Sequence, residues 1–215
     1  MAAMPPTQPE PPPPWAADSL PVVETFHSLQ GEGLHSGRSA FFLRLAGCDV
    51  ACPWCDTKHS WSADRHPQLT LAELVRRAHE ARVAGAAFVV ITGGEPLQHP
   101  LTALCAALAP VAPLHLETSG VHPLSGRFDW ITLSPKPHRP PLPELLGACQ
   151  ELKVVVHGEE DLAFAEAMAA AAPGAQLLLQ PGWACARGQE LAVAFVRRHP
   201  AWRLSLQSHK WLGVR

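Results

Sequence analysis

"FVVITGGEP", Phe88 to Pro96, decides the fold. Its four apolar residues, three of them β-branched, have the length and composition of a buried strand rather than a helix. A threonine, two glycines and a carboxylate come next. Paired glycines let backbone N–H groups approach an anionic ligand closely, so the carboxyl end of this strand is marked for binding. The same arrangement recurs in "LHLETSG" (114–120), "WITLSPKP" (130–137), "LLLQPGW" (177–183) and "LSLQSHK" (204–210). Each time an apolar run ends in small polar groups. Parallel α/β sheets collect their active sites at those strand ends, so five such loops predict one mouth and an enzyme.

Working outward, "SAFFLRLAG" (39–47) reads as a further buried strand, and "LKVVV" (152–156) as another. "TLAELVRRAHEARVAG" (70–85) reads as a helix with a Thr70/Glu73 capping box, an apolar face of Leu71, Leu74, Val75 and Ala78, and a closing Gly85. Helices are also expected around "LTALCAALA", "EDLAFAEAMAAA" and "ELAVAFVRR", whereas Ser119–Phe128 and Pro135–Gln150 are rich in Pro or Gly and offer little helix. Alternation of strand and helix predicts a parallel sheet with right-handed crossovers. A closed eight-fold barrel takes roughly 250 residues, and the chain has 215. The expected fold is therefore α/β, a shortened, incomplete (β/α) barrel.

Hydrophobic residues make up 47% and charged residues 17%, with a formal charge of −2, which gives no reason to expect a nucleic-acid or lipid-headgroup surface. No stretch reaches the length of a membrane span, and no basic segment followed by an apolar one opens the chain. A cytoplasmic protein with reduced cysteines is expected. Residues 1–20, "MAAMPPTQPEPPPPWAADSL", read as a disordered Pro-rich leader, and residues 21–215 as a single catalytic domain.

"CDVACPWCDT" (48–57) places Cys48, Cys52 and Cys55 in a loop directly after the first core strand. Thiols this close in a reducing compartment favour metal over disulfide. Two readings are open on spacing. His59 could complete a Cys3His zinc site, although structural zinc usually staples modules without a core. Three thiolates without a fourth suit a [4Fe–4S] cluster with one iron left for a ligand.

Together "CDVACPWC" and "TGGEP" resemble the radical S-adenosylmethionine (SAM) superfamily. The resemblance implies that Cys48, Cys52 and Cys55 hold a [4Fe–4S] cluster and that Gly93, Gly94 and Glu95 hold the methionine end of SAM. It also implies the chemistry: an electron from the cluster cleaves SAM, and the 5′-deoxyadenosyl radical takes a hydrogen from substrate. "SLQGEG" (28–33), "FFLRLAGC" (41–48), "WCDTKHSW" (54–61), "LSPKP" (133–137) and "QSHKWLG" (207–213) narrow the likeness to the 7-carboxy-7-deazaguanine synthases, from about Val22 onward. That family contracts the ring of 6-carboxy-5,6,7,8-tetrahydropterin with loss of ammonia, on the route to queuosine and other 7-deazapurines. It regenerates SAM, uses Mg2+, and forms homodimers around a shortened barrel.

Residue roles follow from the resemblance. Leu29, Gln30, Gly31 and Glu32 match the strip that touches the pterin. Arg44 matches the arginine that binds the substrate carboxylate, and its planar fork suits that anion. Thr57 matches the Mg2+ ligand. Trp54, Cys55 and Asp56 match contacts to SAM, as do Ser134, Pro135 and Lys136 in a second loop and Gln180, Pro181, Gly182 and Trp183 in a third. Glu117 lies where it would reach SAM. Thr92, His209 and Arg215 match substrate contacts, Arg215 being a long cation where the family usually has a compact residue. Cys105 reads as core, and Cys149 and Cys185 have no role. A flavodoxin-type protein is the expected reductant. The rival functions are another small radical SAM enzyme, such as a glycyl-radical activase, and a zinc-stabilised binding module. Neither accounts for Gln30–Glu32, Arg44 or the "SPK" loop.

Overall fold

The structure is a computed structural model that describes residues 18–215. Seven parallel strands form its centre: β2 (Ser39–Leu45), β4 (Phe88–Gly93), β5 (Leu114–Thr118), β6 (Trp130–Leu133), β7 (Glu151–Val156), β8 (Gln176–Pro181) and β9 (Trp202–Leu204). At one edge β1 (Ser19–Leu29) and β3 (Gln68–Thr70) add antiparallel, giving the order β3-β1-β2-β4-β5-β6-β7-β8-β9. The expected incomplete barrel is observed, since among the described residues no strand pairing joins β9 to the β3–β1 edge.

Helices α1 (Leu71–Val83), α2 (Thr102–Leu108), α3 (Pro143–Ala148), α4 (Glu159–Ala171) and α5 (Ala186–Arg198) occupy connections between the strands, and α6 (Ser208–Leu212) comes after β9. Thr70 caps α1 by accepting from the Glu73 N–H at 3.2 Å. The other half of the expected capping box is absent, because the Glu73 carboxylate pairs with Arg76 and Arg77 instead. Helix α3 lies within a connection expected to offer little helix. Its Pro143 stands in the first turn, where the missing N–H costs nothing.

Side chains alternate across each strand. Leu43, Ile91, Leu116, Leu133, Leu152, Val154 and Leu179 face outward into the main core with Leu74, Leu104, Leu108 and Phe195 of the helices. Ala40, Phe42, Phe88 and Val90 form a separate interior cluster. Closer to the carboxyl ends the interior turns polar: Arg44, Thr92, Glu117, Thr132, Lys153 and Gln180.

Strand β1 was not expected, and it begins inside the predicted leader. Ser19, Leu20 and Pro21 pair with Thr70, Leu69 and Gln68, so the folded part starts two residues before the expected boundary. The rest of the predicted leader, residues 1–17, lies outside the described residues. The loop after β1 spans the open side of the barrel by hydrogen bonds rather than strand pairing. Gly31 O accepts from the Ser208 N–H at 2.9 Å, Gly33 N donates to Ser205 Oγ at 2.9 Å, and Gln207 Nε2 donates to Glu32 Oε1 at 2.8 Å. Gly33 has φ +69°, and a Cβ there would stand 2.1 Å from Glu151 Oε1. Only glycine lets the loop lie this close to β7.

Candidate active site

Cys48, Cys52 and Cys55 line one cavity of ≈ 390 Å³ at the carboxyl ends of the strands. All six cysteines of the chain are free thiols. The loop holding the three is pinned from several sides by backbone groups and by Arg139 and His138. Gly47 N donates to Ser60 O at 2.7 Å and Cys48 N to Trp61 O at 3.1 Å. Arg139 donates to both the carbonyl and the carboxylate of Asp49, at 2.6 and 2.7 Å, and His138 Nε2 lies 3.0 Å from Val50 O. Burial pushes the Cys48 and Cys52 thiols up, opposed at Cys52 by the Lys136 charge. A cluster would replace those protons with iron. Three thiols lining one cavity, within eight positions of one loop, fit a three-cysteine [4Fe–4S] group. His59 does not join them: it is exposed, against His66.

The Gly-Gly-Glu turn packs beneath this loop. Gly94 N donates to Leu45 O and Glu95 N to Gly47 O, at 3.0 and 2.8 Å. A Cβ on Gly94 would stand 2.2 Å from Gly47 O and 2.8 Å from the Cys48 Cβ, so a side chain would push the cysteine loop away. Glu95 is 1% exposed. Its carboxylate accepts from Leu97 N (3.1 Å), Thr118 Oγ1 (2.5 Å), Ser119 N (2.8 Å) and Ser119 Oγ (2.5 Å). Those four donors make it the tie between the β4 and β5 loops. Lys136 Nζ donates to the carbonyl and hydroxyl of Ser134, at 2.9 and 2.8 Å. Burial pulls the Lys136 pKa down, partly offset by Cys52. Gln180, Pro181, Gly182 and Trp183 form the facing wall, while Trp54 and Asp56 lie on the cysteine side.

A second cavity of ≈ 620 Å³ adjoins the first. Leu29, Gln30, Gly31, Glu32, Arg44, His209 and Arg215, which the sequence resemblance assigns to substrate, line it together. Asp56, Thr57, Glu32 and Glu117 border both cavities. Thr57 Oγ1 lies 3.6 Å from Cys55 Sγ, so the predicted metal ligand stands where the two spaces meet. Glu117 accepts from Gln30 Nε2 at 2.9 Å and from Thr92 Oγ1 at 3.0 Å. Thr92, expected as a substrate contact, therefore stands behind Glu117 rather than in either cavity wall. Pro135 likewise lines neither cavity, while its neighbours Ser134 and Lys136 line the first.

Glu32 and Lys153 form an ion pair in the shared wall, with Gln207 as the second donor to Glu32. Burial alone would raise the Glu32 pKa, but Lys153 and the hydrogen bonds to it and to Gln207 and Gln180 bring it to about 2. Burial disfavours the charged Lys153, and Glu32, Glu117 and Glu151 more than reverse this, raising its pKa.

The sequence pattern of the radical SAM superfamily matches residues 43–155. The 7-carboxy-7-deazaguanine synthase of Prochlorococcus marinus is 51% identical, over 91% of this chain and 98% of that protein. Its namesake from Synechocystis is 52% identical over 92% of this chain and 94% of its own. The chain belongs to the 7-carboxy-7-deazaguanine synthase family. The crystal structure of QueE from Escherichia coli aligns with a TM-score of 0.80 at 30% identity, covering 89% of this chain and 95% of that one. The barrel of this radical SAM enzyme is thus seen in a solved structure as well.

Sequence reasoning missed several residues of this synthase-family site. Lys153, Gln207 and Lys210 line the first cavity, and Glu24 and Phe26 the second. Lys153 left a readable signal: with Glu151 it puts two charges at a period of two on a strand that is otherwise apolar. Glu24 left none, because its partners Arg44 and Arg215 are 20 and 191 residues away.

Proposed function

We propose that this chain makes 7-carboxy-7-deazaguanine from 6-carboxy-5,6,7,8-tetrahydropterin by radical-mediated ring contraction with loss of ammonia, as a radical SAM lyase. The observation that carries the reading is the adjacency of the two cavities at Thr57: one walled by three thiols, the other by a sorted set of charges. In the second cavity Arg44 and Arg215 stand against the single carboxylate of Glu24, which leaves positive charge for a substrate carboxylate. Elsewhere on its wall, Gln30, Glu32 and Glu117 offer acceptors to the N–H groups of a pterin ring. A molecule with a carboxylate on one side and donors on the other is oriented by that arrangement before any chemistry begins.

Cys48, Cys52 and Cys55 would hold the cluster. Bound there, the cluster would supply the electron for SAM cleavage and an open iron for its amino-acid end. Gly94 and Glu95 shape the floor of the SAM cavity, Glu95 by its ties to Thr118 and Ser119, and Ser134, Lys136 and Gln180–Trp183 form its walls. Trp54 and Asp56 flank it on the cysteine side. Thr57 would give Mg2+ one protein oxygen, the remaining ligands coming from water and substrate, as that ion prefers. His209 closes the substrate side beside Gly31. The same reading makes the protein a cytoplasmic homodimer that receives electrons from a flavodoxin-type donor and feeds queuosine or another 7-deazapurine.

Anaerobic reconstitution with iron and sulfide, followed by incubation with SAM, Mg2+, a reductant and the carboxypterin, tests the proposal. The expected result is about four irons per chain and formation of the deazaguanine without net loss of SAM. Zinc retention without iron uptake, or SAM cleavage with an unchanged pterin, would overturn it.

A further inference from the structure

Glu24 belongs to β1, upstream of the 28–33 motif that ends the strand, and it lies in the wall of the second cavity. It is the cross-strand partner of Arg44 in the β1–β2 ladder, beside a register shift between Val22 and Glu24. Its two oxygens are divided between two guanidiniums. Oε1 accepts from Arg44 Nε at 3.0 Å, and Oε2 accepts from Arg215 Nη2 at 2.7 Å. Among the described residues only the Nε edge of Arg44 is used, so there the Nη1/Nη2 end keeps its two parallel donors. Such an end grips a carboxylate bidentately.

The surroundings hold this geometry. Phe26 and Phe42 stack at 4.9 Å with 12° between their planes. The Arg215 guanidinium lies 5.5 Å above the Phe26 ring, and Ser28 Oγ donates to Arg215 O at 2.5 Å. The side chains of Arg44 and Glu24 are 20% and 24% exposed, so they are shielded enough for direction to matter, whereas Arg215 is 71% exposed. An arginine with four free rotors would otherwise sample many directions across the cavity. One acid holding the Nε edge removes that freedom.

We propose that Glu24 is the positioning residue that aims the free end of Arg44 into the second cavity and thereby sets the selectivity for a carboxylated substrate. The proposal rests on the reading of that cavity as the pterin pocket. Glu24 touches no reacting atom in it; its effect passes through Arg44, with Arg215 as the weaker second cation.

The test measures equilibrium binding of 6-carboxypterin and of 6-hydroxymethylpterin, which lacks the carboxylate, to the reconstituted, SAM-loaded protein by pterin fluorescence. The parent should prefer the carboxylated ligand roughly tenfold or more, the size of one charge-assisted hydrogen bond. Glu24→Ala should bring that preference to within about threefold, with 6-hydroxymethylpterin bound as in the parent. Glu24→Gln retains an oxygen to accept from Arg44 Nε and should keep most of the preference. Iron content and SAM affinity should not change in either variant. Equal weakening of both pterins in Glu24→Ala would make Glu24 a structural support only and overturn the inference. So would an intact preference in Glu24→Ala, or its equal loss in both variants. A parent without any preference would instead overturn the reading of the cavity itself, and the inference with it.

Discussion

The two cavities are built in opposite ways. The first is walled by short motifs, each close in sequence to the strand that presents it: Cys48–Cys55 after β2, Gly93–Glu95 at β4, Ser134–Lys136 after β6 and Gln180–Trp183 at β8. Backbone hydrogen bonds and the saturated Glu95 carboxylate hold them. The second is assembled from distant pieces. Glu24 meets Arg44 and Arg215, and Gln207 meets Glu32 of the loop after β1. Backbone scaffolding makes a general site that tolerates substitution around it, whereas side-chain charges make a selective one that depends on every partner. Substitutions should therefore separate the two.

Breaking the first cavity should have the largest effect. Ala in place of Cys48, Cys52 or Cys55 is expected to abolish cluster assembly and all turnover, read as iron and sulfide content and the absorbance of the reconstituted protein. Cys105→Ala, Cys149→Ala and Cys185→Ala should retain the cluster, because these thiols lie on α2, beyond α3 and at the N-cap of α5. Loss of iron in Cys185→Ala together with a full cluster in one of the triad variants would reverse the assignment.

The shared wall comes next. Lys153→Met leaves Glu32 buried without its cation, and removing one partner of a buried pair costs about 3–5 kcal/mol. Glu32→Gln in the same background should recover much of that stability in chemical denaturation. The pair also sets a pH window. The folded-state pKa of Glu32, about 2, lies below the ordinary carboxylate value of about 4.3. Its contribution is therefore fully present above pH ~4 and lost as the pH falls toward ~2. In Lys153→Met this acid loss should begin at higher pH, and a thermal-denaturation series from pH 3 to 7 would reveal an unchanged onset if the pair were unimportant.

Arg44→Lys probes the second cavity alone. The charge stays but the planar fork is lost, so the substrate KM should rise roughly tenfold while SAM affinity holds. Equal loss of both would place Arg44 in the wrong cavity. At the boundary, Thr57→Ala should blunt stimulation by Mg2+ several-fold and leave iron content intact; a parent-like Mg2+ response would rule Thr57 out as the ligand. The smallest effect belongs to Arg215→Ala. Exposed ion pairs contribute about 0.2–1 kcal/mol, so steady-state kinetics should show a KM only a few-fold higher. A loss as large as that in Arg44→Lys would make Arg215 a principal anchor.

The incomplete barrel and the first cavity were legible because their determinants are local. Apolar runs of four to six residues declare strands, and glycines, prolines and cysteines within a few positions declare the loop at the end of each strand. Strand β1 was not legible. Polar residues on both faces interrupt the apolar alternation: Glu24 lines the second cavity, while Thr25 and His27, on the other face, meet Arg77 and Ser39. Helices α3 and α6, of six and five residues, are too short to display a helical period.

By itself, then, the sequence determined the strand-and-helix order, the position of the thiols and the glycine turn at one end of the sheet, and the family to which those motifs point. The tertiary structure alone decided which charges meet. The pairing of Glu24 with Arg44 and Arg215, of Lys153 with Glu32, and the closing of the barrel's open side by the loop after β1 depend on register and on chain segments brought together from far apart. Burial then gives those meetings their strength, because a charge removed from water must find its partner inside the protein, and nothing in the linear order says which partner that is.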